Sequence, residues 1–219
     1  MGARAFSSLR IDKAGYPFIF GTVVLAASAA FWPSMALGAA LLAVAAFFTF
    51  FFRDPERTAP ATFNDNEVLA PADGRVLVAG QVIPDGAPPG SWKQISIFLS
   101  PMDVHVNRVP ASGRVTRVTL TPGRFIPAYR HDAGSVNERS EIWIDHHGQP
   151  IVTRQIVGML ARRVVCRLTG GDEVRAGQRL GIMKFGSRMD VFVPQDATVT
   201  VQVGATVRGG ETVIAVLHS

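Results

Sequence analysis

Gly186 and Ser187, inside the run "IMKFGSRMDVFVP" from Ile182 to Pro194, are residue types from which a peptide bond can be broken from within. Glycine lacks a Cβ, so its carbonyl is open to attack and its backbone tolerates strained conformations. The serine hydroxyl can attack that carbonyl once a base takes its proton and donors hold the oxyanion. The product is an ester in place of the peptide. Elimination then severs the chain and leaves dehydroalanine, which hydrolyses to a pyruvoyl group. Such a carbonyl forms a Schiff base with an amine and acts as an electron sink. The plainer reading is a Gly-Ser turn between two strand-like runs.

A second chemistry competes for the same letters. "IMKF" is similar to the Met-Lys turn on which biotinyl and lipoyl carrier domains display a modified lysine, here Lys184. Phe185 then stands where the biotin pattern has a second methionine. For a base, "FLSPMDVHVNRVP" offers His105 with Asp103 two residues before it. On a strand such positions share a face, and the carboxylate would orient the imidazole and raise its basicity. Asp73-Gly74 in "APADGRV" is a standard turn pair that gains interest only where the fold brings Asp73 to His105. "NER" at Asn137–Arg139 reads as a loop. His146 and His147 in "DHHGQP" read as exposed turn residues; the sequence supplies no third ligand, so no metal is expected. Cys166, the single cysteine, lies in the apolar run "RRVVCRL" and reads as a buried structural thiol.

These residues need a scaffold, and the chain divides into two kinds of sequence. Of 219 residues, 47% are hydrophobic and 18% charged, and the mean hydropathy is +0.22. That charged share is low for a soluble domain. The apolar residues concentrate in Ala14–Phe52, which contains no charge. One span needs about 20 residues, so this stretch suits two helices, Pro17–Trp32 and Ser34–Phe52, divided at Trp32-Pro33-Ser34. A re-entrant or interfacial hairpin is the alternative, and a secretory signal a rival. Gly38, Ala39 and Ala40 would let the helices pack closely. Arg4, Arg10 and Lys13 precede the pair and Arg53 and Arg57 follow it, which places both ends in the cytoplasm. The net charge of +5 suits anionic lipid. The scattered basic residues show no aromatic interleaving, so nucleic acid is not an expected partner.

From residue 53 onward, after a polar proline-bearing linker, short β-favouring runs alternate with Gly, Pro and Asp. "GDEVRAGQRLG" (Gly171–Gly181) parallels "GATVRGGETVI" (Gly204–Ile214). The expected fold is mainly β: a folded-over, barrel-sandwich-like domain over 53–219, preceded by a basic segment and two-helix membrane hairpin over 1–52.

In this order, "FFRDPER", "APADGRV", "FLSPMDVHVNRVP", "NER" and "KFGSRMDVFVP" resemble the short prokaryotic branch of the phosphatidylserine decarboxylase family. The resemblance covers nearly the whole chain. It implies self-cleavage between Gly186 and Ser187 into a β chain, 1–186, and an α chain, 187–219, which remain together as a heterodimer open to further oligomerisation. Ser187 would become the covalent pyruvoyl group, the one expected cofactor. Asp73 and His105 would serve self-processing, with Asp103 supporting His105. Where the longer branch has a second histidine, this sequence has Arg108, so His105 would serve both steps or Arg108 contact the substrate. Lys184, Arg188 and Arg108 are candidate phosphate contacts. The implied activity converts phosphatidylserine to phosphatidylethanolamine and CO2 at the cell membrane, on its cytoplasmic face. A carrier domain modified at Lys184 and a non-catalytic membrane-anchored sandwich are the alternatives.

Overall fold

The computed structural model describes residues 10–29, 35–80, 82, 86–159, 163–184 and 186–218. Contacts divide the chain into two units, Met1–Glu56 and Arg57–Ser219.

In the first unit α1 (Tyr16–Ala29) packs against α2 (Met35–Phe51). Phe18 stacks on Phe52 and tilts against Phe48, with ring centroids 5.5 and 5.4 Å apart. The Asp12 amide donates to the Phe52 carbonyl at 2.9 Å, and the Asp54 amide to that of Arg10 at 2.7 Å. Both helices lack charged residues but are short. At ~1.5 Å per residue, 14 and 17 residues reach about 21 and 26 Å, against a hydrocarbon core of about 30 Å. No helix among the described residues is long and apolar enough to cross a membrane. The expected spans are thus present as shorter helices, and the Trp32-Pro33-Ser34 turn lies outside the described residues. The small residues at the helix contact are not those expected. A Cβ on Gly38 would meet nothing, whereas Ala26, Ala29 and Ala45 are buried and Gly15 lies against the Phe52 ring.

The second unit is mainly β, as the alternating runs require. In chain order it contains β1 (Glu67–Leu69), β2 (Gly74–Gly80), β3 (Trp92–Leu99), β4 (Val106–Arg108) and β5 (Gly113–Thr121). The short α3 (Ala133–Val136) precedes β6 (Arg139–His146), β7 (Gln149–Ile156), β8 (Val165–Cys166), β9 (Glu173–Val174) and β10 (Arg179–Ile182). The chain ends with β11 (Ser187–Pro194), β12 (Thr198–Val199), β13 (Thr206–Val207) and β14 (Val213–Val216). An eight-stranded antiparallel sheet runs β13-β2-β3-β11-β7-β6-β5-β9. Two three-stranded sheets, β1-β14-β12 and β4-β10-β8, complete the sandwich. Ile95, Ile97, Val191 and Val193 alternate inward from β3 and β11 and pack on Val68, Ile214 and Ala215 of the first small sheet. Val115, Ile142 and Ile144 pack on Val109 and Leu180 beside the second.

The repeat is real and longer than its sequence signature. β9 and β13 close the two ends of the large sheet, and β10 and β14 run through the centres of the small ones. The intervening turns carry Gly177 and Gly210 at φ +78° and +75°. The segments opposite them repeat as well: Ala70–Val76, "APADGRV", matches Val109–Val115, "VPASGRV". Gly74 and Gly113, at φ +151° and +149°, press against the carbonyls of Phe98 and Asp145. Asp73 accepts the Gly209 amide at 2.8 Å as Ser112 Oγ accepts the Ala176 amide at 3.1 Å. At this matched position one half thus carries a carboxylate and the other a hydroxyl.

Candidate active site

The Gly186–Ser187 bond stands at the entrance to β11. Gly186 has φ +67°, a left-handed conformation that favours glycine. A Cβ there would meet nothing, so conformation and not space requires the glycine. Ser187, the first residue of β11, is fully buried, and its Oγ has no hydrogen-bond partner among the described residues. A buried hydroxyl in that condition is costly to the fold. The Gly186 carbonyl oxygen lies over Gly158, where an added Cβ would come within 1.8 Å of it. Gly158 follows β7 in the run "IVGML" and was not singled out from sequence; its signal is a glycine just beyond a strand end.

Two stretches run beside each other, one carrying His105 and the other leading into this bond. Leu99 pairs with Ser187 across β3 and β11, and the Met183 amide donates to the His105 carbonyl at 3.2 Å. The loop from 99 to 105 thus spans the same interval as the chain from 187 back to 183. Ala72, Leu99, Met183 and Met189 form one buried cluster beneath it. That cluster joins the segments carrying Asp73, His105 and Ser187.

His105 is fully buried, and its Nδ1 lies 2.9 Å from the Asp103 carbonyl oxygen. A carbonyl only accepts, so the proton belongs on Nδ1 and Nε2 carries the lone pair of a base. The Asp-x-His spacing works differently from a shared strand face. Residues 101–105 precede β4 as a turn, and the main-chain oxygen of Asp103, not its carboxylate, meets the imidazole. The carboxylate accepts the amide and hydroxyl of Ser100, both at 2.7 Å, and so holds the turn.

Asp73 takes an ion pair from Arg57 at 2.6 Å besides the Gly209 amide. Burial raises its pKa from the ordinary 3.8, against the lowering by Arg57 and Gly209; the nearby charge of Asp103 adds to the rise. Asp73 is therefore close enough to the Asp103–His105 turn to feel it. Arg57, which also pairs with Glu211 at 3.1 Å, was not read from the sequence as a site residue.

The three basic residues have different surroundings. Arg188 is buried and donates to both Asp190 oxygens, at 2.6 and 2.7 Å, and to the Arg130 carbonyl at 3.1 Å. Burial works against its charge, but Asp190 more than offsets this and its pKa is raised. Arg108 is buried and donates to the Gly177 carbonyl at 3.0 Å. Lys184 alone of the three is partly exposed. "NER" is a loop only in part, since Arg139 opens β6; buried Asn137 laces the carbonyls of Ile126 and Val157 together at 2.8 Å each. His131 is exposed.

A family model described as phosphatidylserine decarboxylase matches residues 44–215. A phosphatidylserine decarboxylase proenzyme of Chlorobium phaeobacteroides is 44% identical over 175 residues, covering 80% of this chain and 81% of that protein. The protein of the same name from Wolbachia pipientis wMel is 40% identical over 218 residues, 97% of this chain and 94% of its own. The readings as a carrier domain modified at Lys184 and as a non-catalytic sandwich find no support beside these matches.

Proposed function

The chain belongs to the phosphatidylserine decarboxylase family, and on that premise we propose that it cuts itself between Gly186 and Ser187 and then decarboxylates phosphatidylserine to phosphatidylethanolamine. The observation that carries the reading is Ser187 itself: a buried hydroxyl without a partner, directly after a glycine at φ +67°.

In the processing step Ser187 Oγ adds to the Gly186 carbonyl carbon as its proton passes to His105 Nε2. The Ser187 nitrogen takes up a proton and leaves, so an ester replaces the peptide. Loss of the Ser187 α-proton expels the Gly186 carboxylate and leaves dehydroalanine at the head of residues 187–219. Water adds, ammonia departs and a pyruvoyl carbonyl remains. The orphaned hydroxyl and its buried surroundings fit that conversion. Once formed, the group supplies an electrophile for the substrate amine and a sink for the electron pair freed with CO2. His105 then returns a proton to the former α-carbon. Ala72, Leu99, Met183 and Met189 keep water from that side of Ser187. Asp103 positions His105 through its carbonyl, and Asp73 with Arg57 holds the neighbouring turn. Of Lys184, Arg188 and Arg108, Lys184 is the best exposed to meet a headgroup phosphate.

Membrane association is part of the same reading. Phe20, Leu25, Met35 and Leu42 leave both helices of the first unit with exposed apolar surface, unusual for a soluble protein. Met102, Tyr129 and Met159, also exposed, sit beside Asp103, Ala128 and Gly158 on the loops around the scissile bond. Arg10, Lys13 and Arg53 flank the helices and support a cytoplasmic placement of Arg57–Ser219. Intact-mass spectrometry of the purified protein tests the processing. Wild type should resolve into 1–186 and 187–219, the latter trapped by a carbonyl reagent, and Ser187→Ala should remain whole and inactive on phosphatidylserine vesicles. A whole, active wild-type chain would refute the reading.

A further inference from the structure

The fold supplies the third ligand that "DHHGQP" lacks. One ligand atom each from Asp65, His146 and His147 lies within 4.8 Å of the others. Asp65 stands 81 positions before His146 in the sequence, just ahead of β1. We propose that these three side chains form a binding site for a divalent metal ion of the zinc class.

His146 is not the exposed turn residue its sequence suggested. It ends β6, is 5% exposed, and its Nδ1 lies 2.7 Å from the Ser112 carbonyl oxygen. That contact fixes the proton on Nδ1 and leaves Nε2 to ligate, the carbonyl–histidine–metal arrangement that orients ligands in metal sites. His147 is exposed and has φ +52°, the one non-glycine residue with positive φ among the described residues. With Gly148 at +85° it forms the two-residue hairpin turn for which asparagine and glycine are favoured. The structure thus holds an imidazole where turn chemistry asks for something smaller, beside a second imidazole 4.6 Å away between centroids. Asp65 Oδ2 lies 2.7 Å from His147 Nε2, a contact the ion would replace by taking both atoms as ligands.

Two nitrogens and one carboxylate oxygen suit Zn2+ better than Mg2+ or Ca2+. Ligands on a tetrahedral ion with bonds of about 2.0 Å stand roughly 3.3 Å apart. Asp65 and His147 are exposed, so their side chains are free of the packing that fixes His146. A fourth position opens onto the pocket lined by Gln149, Leu217 and His218. The site is remote from the scissile bond. His146 faces Gln149 at one end of β7 and Arg188 faces Ile156 at the other, roughly 23 Å away at about 3.3 Å per residue. By matched position, the β6–β7 turn occupies in its half of the repeat the place of the loop bearing Asp103 and His105 in the other. An ion there would tie the chain entering β1 to the β6–β7 hairpin. The inference does not depend on the proposed reaction.

The test is calorimetric titration of Zn2+ into the full-length, chelator-stripped protein in detergent. Wild type should bind one equivalent. Asp65→Asn and His147→Asn, the latter keeping a residue suited to the turn, should each weaken binding by more than the roughly 10- to 100-fold expected for losing a group that merely supports a ligand. Cys166→Ser should bind as wild type does. Unchanged circular dichroism of both ligand variants in chelator shows that the fold survives. No binding by wild type, undiminished binding in either ligand variant, or loss of binding in Cys166→Ser overturns the proposal.

Discussion

Alanine at position 158 should keep the Gly186–Ser187 bond closed without touching either residue. Its Cβ would stand 1.8 Å from the Gly186 carbonyl oxygen and 3.0 Å from the carbon, both backbone atoms. Separations under 3.0 Å are essentially never seen for a real Cβ, so the carbonyl must retreat by about 1 Å. A misplacement of about 1 Å at a reacting centre costs roughly a hundredfold in rate. Gly158 does not have positive φ, so alanine brings no backbone strain of its own. The assay is a time course of intact mass after synthesis, following the full chain as it gives way to 1–186 and 187–219. Gly21→Ala is the control, because a Cβ there meets nothing. A folded Gly158→Ala protein that cleaves at the wild-type rate would show that the carbonyl's seat on Gly158 is irrelevant to the chemistry.

Three further outcomes follow from the same geometry. His105→Gln, which removes the lone-pair nitrogen, should slow processing by about 10²- to 10⁴-fold, measured by the same time course; cleavage within a factor of a few of wild type would remove His105 as base. Asp190→Asn leaves the Arg188 charge buried without its partner and should destabilise the fold by about 3–5 kcal/mol in urea unfolding, and a loss under about 1 kcal/mol would contradict the pairing. Asp73 has a raised pKa in the folded protein, so folding favours its protonated form. Its stabilising contribution is present below 3.8 and declines as pH rises through the raised value. Asp73→Asn should flatten that part of the stability–pH curve, and an unaltered slope would refute the assignment.

The Gly186–Ser187 pair could be singled out because its chemistry is local: the two are neighbours, and the residue types alone state what they can do. The strands of the large sheet were legible for a similar reason. Inward Ile95, Ile97, Val191 and Val193 alternate with residues of the other face. Gly158, Arg57 and Asp65 were not legible, because each acquires its role from a partner far away in sequence: Gly186, Asp73 and His147. Asp103 and His105 were found by spacing but connected by the wrong atoms, since a spacing of two does not distinguish a strand face from a turn whose carbonyl accepts. The repeat was half seen. "VRAG" and "VRGG" match by eye, whereas "APADGRV" and "VPASGRV" are separated by other strands, and their equivalence appears only when both cap corresponding turns. The apolar run gave the two helices, which among the described residues cover Tyr16–Ala29 and Met35–Phe51.

β11 lies between β3 and β7, hydrogen-bonded on both sides from its first residues. A cut just before Ser187 leaves the pairings from Arg188 onward in place, so the folded molecule would barely register it. The unfolded molecule does. An intact chain returns β11 to its slot by intramolecular loop closure, whose entropic penalty grows only slowly with length. After the cut, the same strand belongs to a separate 33-residue molecule and must return by diffusion, at a rate set by concentration. Maturation would therefore act as a ratchet. The precursor would refold on its own, whereas the mature protein would refold only as fast as its two pieces meet, so at low concentration its working lifetime would be governed by how slowly the sheet opens.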